Sequence, residues 1–338
     1  MYNIIFITKS RGYSVFKRKM RKKLVQAIDK LGQPITFVAV LWLKSIRRLG
    51  INNMQRSLQL FRHVGIYPLT NHFYEPLFDP VQLHRPLDED RQLPGIDFNV
   101  QEQLEILRGF NYQAELLNIP LNAVGSNHEF CFHNNSFESG DAEYLYSIVR
   151  HFRPQRIIEV GSGNSTLLVR MAIAANVRAD EAYRCEHTCI EPFSAPWLEE
   201  LSIPVIRERV ELVDQEIFQA LESGDILFID SSHVIRPQGD VVTLFLEVLP
   251  MLKAGVLVHI HDIFLPKDYP QKWIVEEARF WNEQYLLEAL LTGGSSFRVL
   301  GALNFLRHHH WEELGKALPV LAQEMNWREP GSFWIIKQ

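Results

Sequence analysis

The stretch Ile157-Ile158-Glu159-Val160-Gly161-Ser162-Gly163-Asn164-Ser165-Thr166 decides how the rest of the chain is read. An apolar β-rich run leads into two glycines, and apolar residues at helical spacing follow. Gly161 allows a tight turn that a Cβ would obstruct, and Gly163 lets a ligand lie close against backbone. The helix that opens here offers unpaired N–H groups, with Ser165 available as its cap. A glycine turn at the C-terminal end of a strand is where doubly wound sheets bind nucleotides. The plainer alternative is a strand–helix turn with no ligand.

Working outward, short β-rich runs occupy residues 156–160, 184–190, 204–206, 225–229, 256–260, 297–300 and 333–336. Helical patterns fill most gaps, clearest at 166–175, 241–252 and 273–291. Upstream, 141–152 repeats Leu145, Ile148, Val149 and Phe152 at helical spacing, with Ser139 or Asp141 as cap. Several β-rich runs are apolar almost throughout, which suits strands buried on both faces. Strand–helix alternation of this kind predicts an α/β, doubly wound, mostly parallel sheet. The last two runs lack a simple intervening helix and are candidates for an antiparallel edge.

The chain has 338 residues, 46% of them hydrophobic and 22% charged, which excludes wholesale disorder. Three cysteines (Cys131, Cys185, Cys189) cannot form a disulfide framework, so a reducing compartment and a cytoplasmic location are expected. Charge is uneven. Residues 1–50 carry a net +11, with Asp29 the single acid, while the remainder carries −16. The acidic bulk argues against a broad nucleic-acid-binding face. The basic run Lys17-Arg18-Lys19-Met20-Arg21-Lys22-Lys23, with the apolar stretch 35–43 close behind, reads either as a solvated arm or as a peripheral contact with anionic lipid. That apolar stretch is nine residues long against the ~20 needed to cross a bilayer, so no membrane-spanning helix and no cleavable signal are expected. Residues 1–60 read as a basic helical arm. Residues 61–124 read as an irregular, proline-rich connector with a helix at 100–117, and 125–338 as the α/β domain.

The loop departs from the dinucleotide pattern G-x-G-x-x-G/A, because Thr166 stands at the third position, and it lacks the lysine of a phosphate-binding P-loop. Glu159, two residues before Gly161, would repel a pyrophosphate. It suits a ligand bringing an amino group and positive charge, such as S-adenosylmethionine. Glu191, in Cys189-Ile190-Glu191-Pro192, is placed to accept hydrogen bonds from ribose hydroxyls, a logic that NAD enzymes share.

The order E-x-G-S-G-x-S-T, then I-E-P, then F-I-D-S-S-H, then H-I-H-D resembles class I S-adenosylmethionine-dependent methyltransferases over about residues 125–338. The likeness is strongest to the bacterial branch near macrocin-type sugar O-methyltransferases, with catechol-type enzymes more distant. Asn71-His72-Phe73-Tyr74 and Trp281-Asn282-Glu283-Gln284 resemble segments of the same group. The resemblance implies a seven-stranded sheet with an antiparallel final strand. It implies Glu159, Gly161 and Gly163 around the methionine part of the cofactor and Glu191 on its ribose. Ser162, Ser165, Thr166 and Asp230 complete the expected cofactor contacts, and Glu211, at an atypical position, is the candidate for adenine.

Asp230 and His233 follow one strand, and His261 and Asp262 end the next, opening onto the same crevice. A hydroxyl is a poor nucleophile until a base takes its proton or a cation stabilises the oxyanion. His233 suits the base, with Asp230 beside it. Asp230, His261 and Asp262 are the candidate ligands for a divalent cation, Mg²⁺ or Mn²⁺. In the macrocin-like relatives the matching positions are a metal-binding aspartate, a base histidine three residues on and a Glu-Asp pair. His261 replaces that glutamate here. Strand alternation sends His261 and Asp262 to opposite faces unless the strand has already bent. The alternative has Asp230 on the cofactor's amino group and His261 purely structural.

The expected function is O-methylation of a small hydroxylated acceptor, a saccharide or secondary metabolite, with an oligomer compatible with the sequence. An NAD-dependent oxidoreductase and a non-catalytic S-adenosylmethionine-binding module remain alternatives. Cys185, His187 and Cys189 read as strand packing rather than zinc ligands, and His308-His309-His310 as a surface loop. Asn282, Glu283 and Gln284 are candidates for a substrate wall, Asn134 and Asn135 for the cofactor entrance.

Overall fold

A computed structural model describes residues 5–70, 74–76, 80–123, 129–193 and 195–338, with side chains of the first helix described from residue 20. Most of Asn71-His72-Phe73-Tyr74 and the start of the 125–338 segment therefore lie outside the described residues. The chain divides into two units, Met1–Leu83 and His84–Gln338, a boundary inside the segment expected as connector.

The first unit is dominated by one helix, Ile5–Leu49, which continues through Pro34. Gly50 ends it with a φ of +87°, and a second helix, Gln55–Val64, stops at Gly65, whose left-handed backbone returns its N–H to Phe61. The expectation that no helix is long enough to cross a membrane is corrected here. The segment Met20–Leu49 is long and apolar enough by length and composition, because the helix runs on through Gln33 and Pro34 into residues 35–43.

In the second unit seven strands form one sheet: β1 Arg156–Val160, β2 Glu186–Ile190, β3 Val205–Ile206, β4 Ile226–Ile229, β5 Leu257–Ile260, β6 Phe297–Ala302 and β7 Phe333–Lys337. All seven coincide with expected runs. The order is β3-β2-β1-β4-β5-β7-β6, with β7 inserted antiparallel between β5 and β6. The rest of the sheet is parallel. This is a doubly wound, seven-stranded α/β sheet.

Both faces are packed. Ile157, Phe228 and Leu257 join one core with the helices Asp141–Phe152 and Asn164–Ala179. Ile158, Leu227 and Val258, one residue along each strand, join the other with Val241, Phe245 and Leu287. Successive side chains point to opposite faces, and both faces are dry, which explains the unbroken apolar runs.

Helix ends differ from expectation in instructive ways. Gly163, not Ser165, is the N-cap of Asn164–Ala179, and its N–H donates to Thr166 Oγ1 at 3.1 Å. Gly140 caps Asp141–Phe152, with Glu143 accepting its N–H at 3.1 Å. Asp141 instead accepts the backbone N–H groups of Gly331 and Ser332, and Ser139 donates to Glu324. The helix expected over 100–117 is two, Val100–Gly109 and Gln113–Leu117. The stretch 273–291 holds a π-helical turn, Lys272–Glu276, then a separate helix, Glu283–Leu291. His308 and His309 close the helix Leu303–His309 instead of forming a loop, and His310 caps Trp311–Ala317.

Candidate active site

The backbone ladder runs past the ends of the parallel strands and sets the site. Gly161 N donates to Ile190 O (3.0 Å), Glu191 N to Ile206 O (3.1 Å), Asp230 N to Val160 O (2.9 Å) and His261 N to Ile229 O (2.9 Å). Four predicted residues from neighbouring strands therefore stand along one edge of the sheet. Gly161 has a φ of +82°, and a Cβ there would sit 1.8 Å from the Asp230 carbonyl oxygen, so no other residue fits. A Cβ on Gly163 would meet nothing within 4 Å, so protein packing does not require that glycine.

A cleft of about 590 Å³ opens at this edge, lined among others by Gly161, Glu191, Arg209, Glu211, Asp230 and Ser231. Glu191 is held at its wall, where Oε2 accepts Ser162 N–H (3.3 Å) and Oε1 accepts Phe193 N–H (2.9 Å). The buried hydroxyls of Ser162 and Ser231 have no hydrogen-bond partner among the described residues. Buried polar groups are normally satisfied, and of these two only Ser231 lines the cleft, where a polar ligand would suit it. Another depression, about 550 Å³ and lined by Glu115, Arg150 and Arg178, contains none of the expected site residues.

Glu159 does not line the cleft. It shares the sheet face of Ile157, two residues back, and is fully buried. Its carboxylate accepts from Ser165 Oγ (2.5 Å) and pairs with His187 Nε2 (2.9 Å), with Cys189 Sγ at 3.6 Å. Strand parity aims this acid, and Ser165 with it, into the sheet–helix interface rather than toward a cofactor's amino group. Thr166 is likewise buried and engaged with Gly163. Glu159, His187 and Cys189 bring three ligand-type atoms together, without Cys185. Burial, with the Glu159 charge, pushes the Cys189 thiol far above its ordinary range and leaves it unreactive.

A cluster of titratable side chains lies at the ends of β4 and β5. His233 Nε2 is 3.3 Å from Asp230 Oδ1 and 3.4 Å from Asp262 Oδ2, while Nδ1 is 2.9 Å from Glu283 Oε2. His233 adopts a φ of +60°, and its carbonyl accepts the N–H groups of Asn282 (3.0 Å) and Glu283 (3.2 Å). A left-handed histidine costs roughly 1–3 kcal/mol, so these contacts hold a strained residue in place. Trp281 packs against its ring with centroids 4.3 Å apart.

Asp262 has a φ of +59°, so the chain has bent as soon as β5 ends. That bend lets Asp262 approach Asp230 despite strand alternation. The atoms that converge as a cation-binding set belong to Asp230, His233 and Asp262, with His233 in the place expected for His261. His261 stands beside them, Nδ1 3.6 Å from both aspartates and Nε2 3.5 Å from Asp141. Asp230 retains 32% side-chain exposure, enough to meet a ligand.

Electrostatics couple the cluster. Burial disfavours charge on Asp230, but His261 and His233 outweigh it and hold that carboxyl well below its usual range. Burial opposes the His233 imidazolium too, yet hydrogen bonds and charges from Asp230 and Glu283 raise it to about 10. His261 is raised in the same sense, chiefly by Asp262 and Asp230 against burial. Burial raises Asp262 and Glu283. Perturbed groups clustered behind a cleft, with Asp230 at its wall, are a pattern that functional sites share.

Glu283 was expected only as part of a substrate wall. It is buried, and so is Gln284, which accepts from Phe264 N and donates to Lys267 O. Asn282 accepts from Ile235 N at 2.6 Å. Glu283 and Gln284 brace the loops around His233 from within, while Asn282 remains half-buried. Asn134 closes its own turn, bonding Cys131, Ser136 and Phe137, and neither it nor Asn135 lines the cleft.

A family profile described as "Methyltransferase domain" matches residues 158–263, a span containing the glycine turn, Glu191, Asp230, His233 and Asp262. An uncharacterised protein of Archaeoglobus fulgidus is 30% identical over 190 residues, an alignment covering 51% of this chain and 84% of that protein. The profile implies S-adenosylmethionine as methyl donor, and the sheet order is that of a Rossmann-like methyltransferase fold. The chain belongs to the methyltransferase-domain family.

Proposed function

We propose that the protein transfers a methyl group from S-adenosylmethionine to a hydroxyl oxygen of a saccharide or secondary metabolite, as in the macrocin-like branch, with His233 as base. The observation that carries this reading is the 2.9 Å contact of His233 Nδ1 with buried Glu283. It leaves Nε2 as the working nitrogen, between Asp230 and Asp262, and Asp230 lines the cleft.

When bound, S-adenosylmethionine supplies an electrophilic methyl group on a positively charged sulfur. The chain's part is positioning and proton management. Glu191 would accept hydrogen bonds from the ribose hydroxyls, Gly161, Ser162 and Gly163 would admit the methionine portion, and Glu211 would border the adenine. With its pKa raised to about 10, His233 rests as an imidazolium. The positive charge of bound S-adenosylmethionine, or of a cation beside Asp230, would first have to displace its Nε2 proton. The freed nitrogen would then take the hydroxyl proton as the oxygen attacks. Glu283 is a positioning residue, fixing the tautomer and ring plane.

A divalent cation fits the same carboxylates, with His233 Nε2 as a nitrogen donor. Its chemistry there would be to stabilise negative charge on the acceptor oxygen. Since Nδ1 is taken, the single remaining lone pair of His233 serves as base or as ligand, not both at once. An NAD-dependent reading loses ground to the family match, although Glu159 no longer argues against it, because that carboxylate lies outside the cleft.

Calorimetric titration with S-adenosylmethionine, S-adenosylhomocysteine and NAD, followed by methyl transfer to a panel of hydroxylated acceptors, tests the proposal. Heat from the first two ligands and a methylated product are expected. Binding without transfer to any acceptor would leave a binding module. Full activity after EDTA dialysis, unchanged by Mg²⁺ or Mn²⁺, would dismiss the ion.

A further inference from the structure

The helix Ile5–Leu49 carries an apolar surface that the methyl-transfer chemistry does not use. Along it Leu24, Ile28, Leu31, Ile35, Val38 and Trp42 recur at alternating spacings of four and three residues, and all six are exposed. At 100° per residue they form one stripe, the pattern of a coiled-coil seam. A second copy of the chain would cover such a stripe and nothing else. Here Phe37, Val40 and Leu41 are exposed as well, Phe37 and Val40 on the opposite side of the same turns and Leu41 on the flank. Over residues 35–43 the helix is therefore apolar on every side, with Thr36 the one polar residue, which suits burial in hydrocarbon rather than pairing along one seam.

Charge identifies the surroundings. The apolar segment is bracketed by Arg21, Lys22 and Lys23 on one side and by Lys44 and Arg48 on the other, Arg47 being paired with Glu75. Residues 1–50 hold twelve Lys or Arg against one acid. Cationic clusters flanking an apolar helix match anionic headgroups around an acyl interior. Gln26, Asp29, Lys30 and Gln33 lie on the side away from the seam, which leaves the part before residue 35 two-faced. Met20–Leu49 as a whole is long and apolar enough to span, but Gln26, Asp29, Lys30 and Gln33 interrupt it. The part free of charge and amide rises only ~14 Å at 1.5 Å per residue, against a ~30 Å hydrocarbon core.

We infer that this helix is a membrane-surface anchor, its two-faced part lying among anionic headgroups and residues 35–43 dipping into the acyl boundary. The inference is independent of the chemistry proposed for the cleft.

Flotation of the full chain with phosphatidylcholine vesicles, with and without phosphatidylserine, tests it. Binding should require the anionic lipid, weaken at least tenfold on raising the salt from 0.1 to 0.5 M, and shift the Trp42 emission to the blue relative to Trp42→Phe. Substituting Phe37→Ser, Val40→Ser and Leu41→Ser together should abolish flotation while cofactor binding, measured separately, stays intact. Failure to float with phosphatidylserine vesicles at low salt would overturn the inference. So would a stable oligomer by light scattering that Ile28→Asp dissolves and the triple substitution leaves intact, because a second copy would then be the occupant.

Discussion

Glu283 Oε2 lies 2.9 Å from His233 Nδ1, across fifty residues of sequence, and both side chains are buried. Glu283 opens the helix Glu283–Leu291, while His233 sits in the turn after β4. The contact decides which imidazole nitrogen is free to act. Replacing His233 by Ala should lower turnover by ~10²–10⁴ with little change in S-adenosylhomocysteine affinity. Glu283→Ala should lower turnover by ~10–100-fold, and Glu283→Gln, which keeps an acceptor for Nδ1–H, should recover part of that loss. Steady-state kinetics with calorimetry on each variant provides the check. Equal loss in the Ala and Gln forms would remove the positioning role.

Glu191 offers a separate test, because it faces the cleft from the end of β2. Glu191→Ala should weaken cofactor binding by roughly 10–100-fold, since it removes a charged acceptor that also holds the Ser162 and Phe193 N–H groups. Saturating cofactor should restore most of the turnover. A turnover defect that saturation cannot relieve would place Glu191 in the chemistry instead.

Gly161→Ala combines a left-handed backbone with a Cβ 1.8 Å from the Asp230 carbonyl. The backbone alone costs about 1–2 kcal/mol, and the overlap forces β1 and β4 apart at the cleft. Thermal denaturation should show a loss of at least ~2 kcal/mol, accompanied by loss of cofactor binding. Gly163→Ala should be far milder for stability, because its Cβ would enter open space. Any loss of affinity in that variant would report ligand contact.

His259 makes a pH prediction. It is fully buried, stacked on Phe228 at 4.1 Å, and bonded to Ser332 Oγ at 2.9 Å. Burial, reinforced by the neighbouring His261 charge, holds its pKa well below the usual value of 6.5. Folded His259 thus stays neutral while the unfolded residue takes up a proton below 6.5. Its contribution is fully present above that pH and is lost as the pH falls toward the folded value. The slope is up to ~1.4 kcal/mol per pH unit. In urea titrations between pH 7.5 and 5, His259→Gln should lose stability less steeply than the parent protein. Parallel curves would exclude His259 as the source.

Residue patterns alone located the seven strands, the helix Asp141–Phe152 and the glycine turn. They did so because buried parallel strands read as unbroken apolar runs and helices as 3.6-residue repeats. They also picked out Glu191, Asp230, His233 and Asp262, since strand ends in such a sheet share one crevice. Local sequence could not tell which way Glu159 points. Its partners, His187 and Cys189, belong to the next strand, and register with β2 sets the face it occupies. The exchange of His261 for His233 in the convergent set depends on left-handed backbone at Asp262 and His233, which no spacing announces.

What the sequence determined by itself was the class of sheet, the place of its cleft and the residue types at its mouth, because burial and periodicity are local properties of a chain. Only the tertiary structure decided which of those residues touch. Contacts such as His233 with Glu283, or β7 entering between β5 and β6, are made between segments far apart in the chain. They are selected by the packing of the whole sheet and its helices, and packing is a property of the assembled fold.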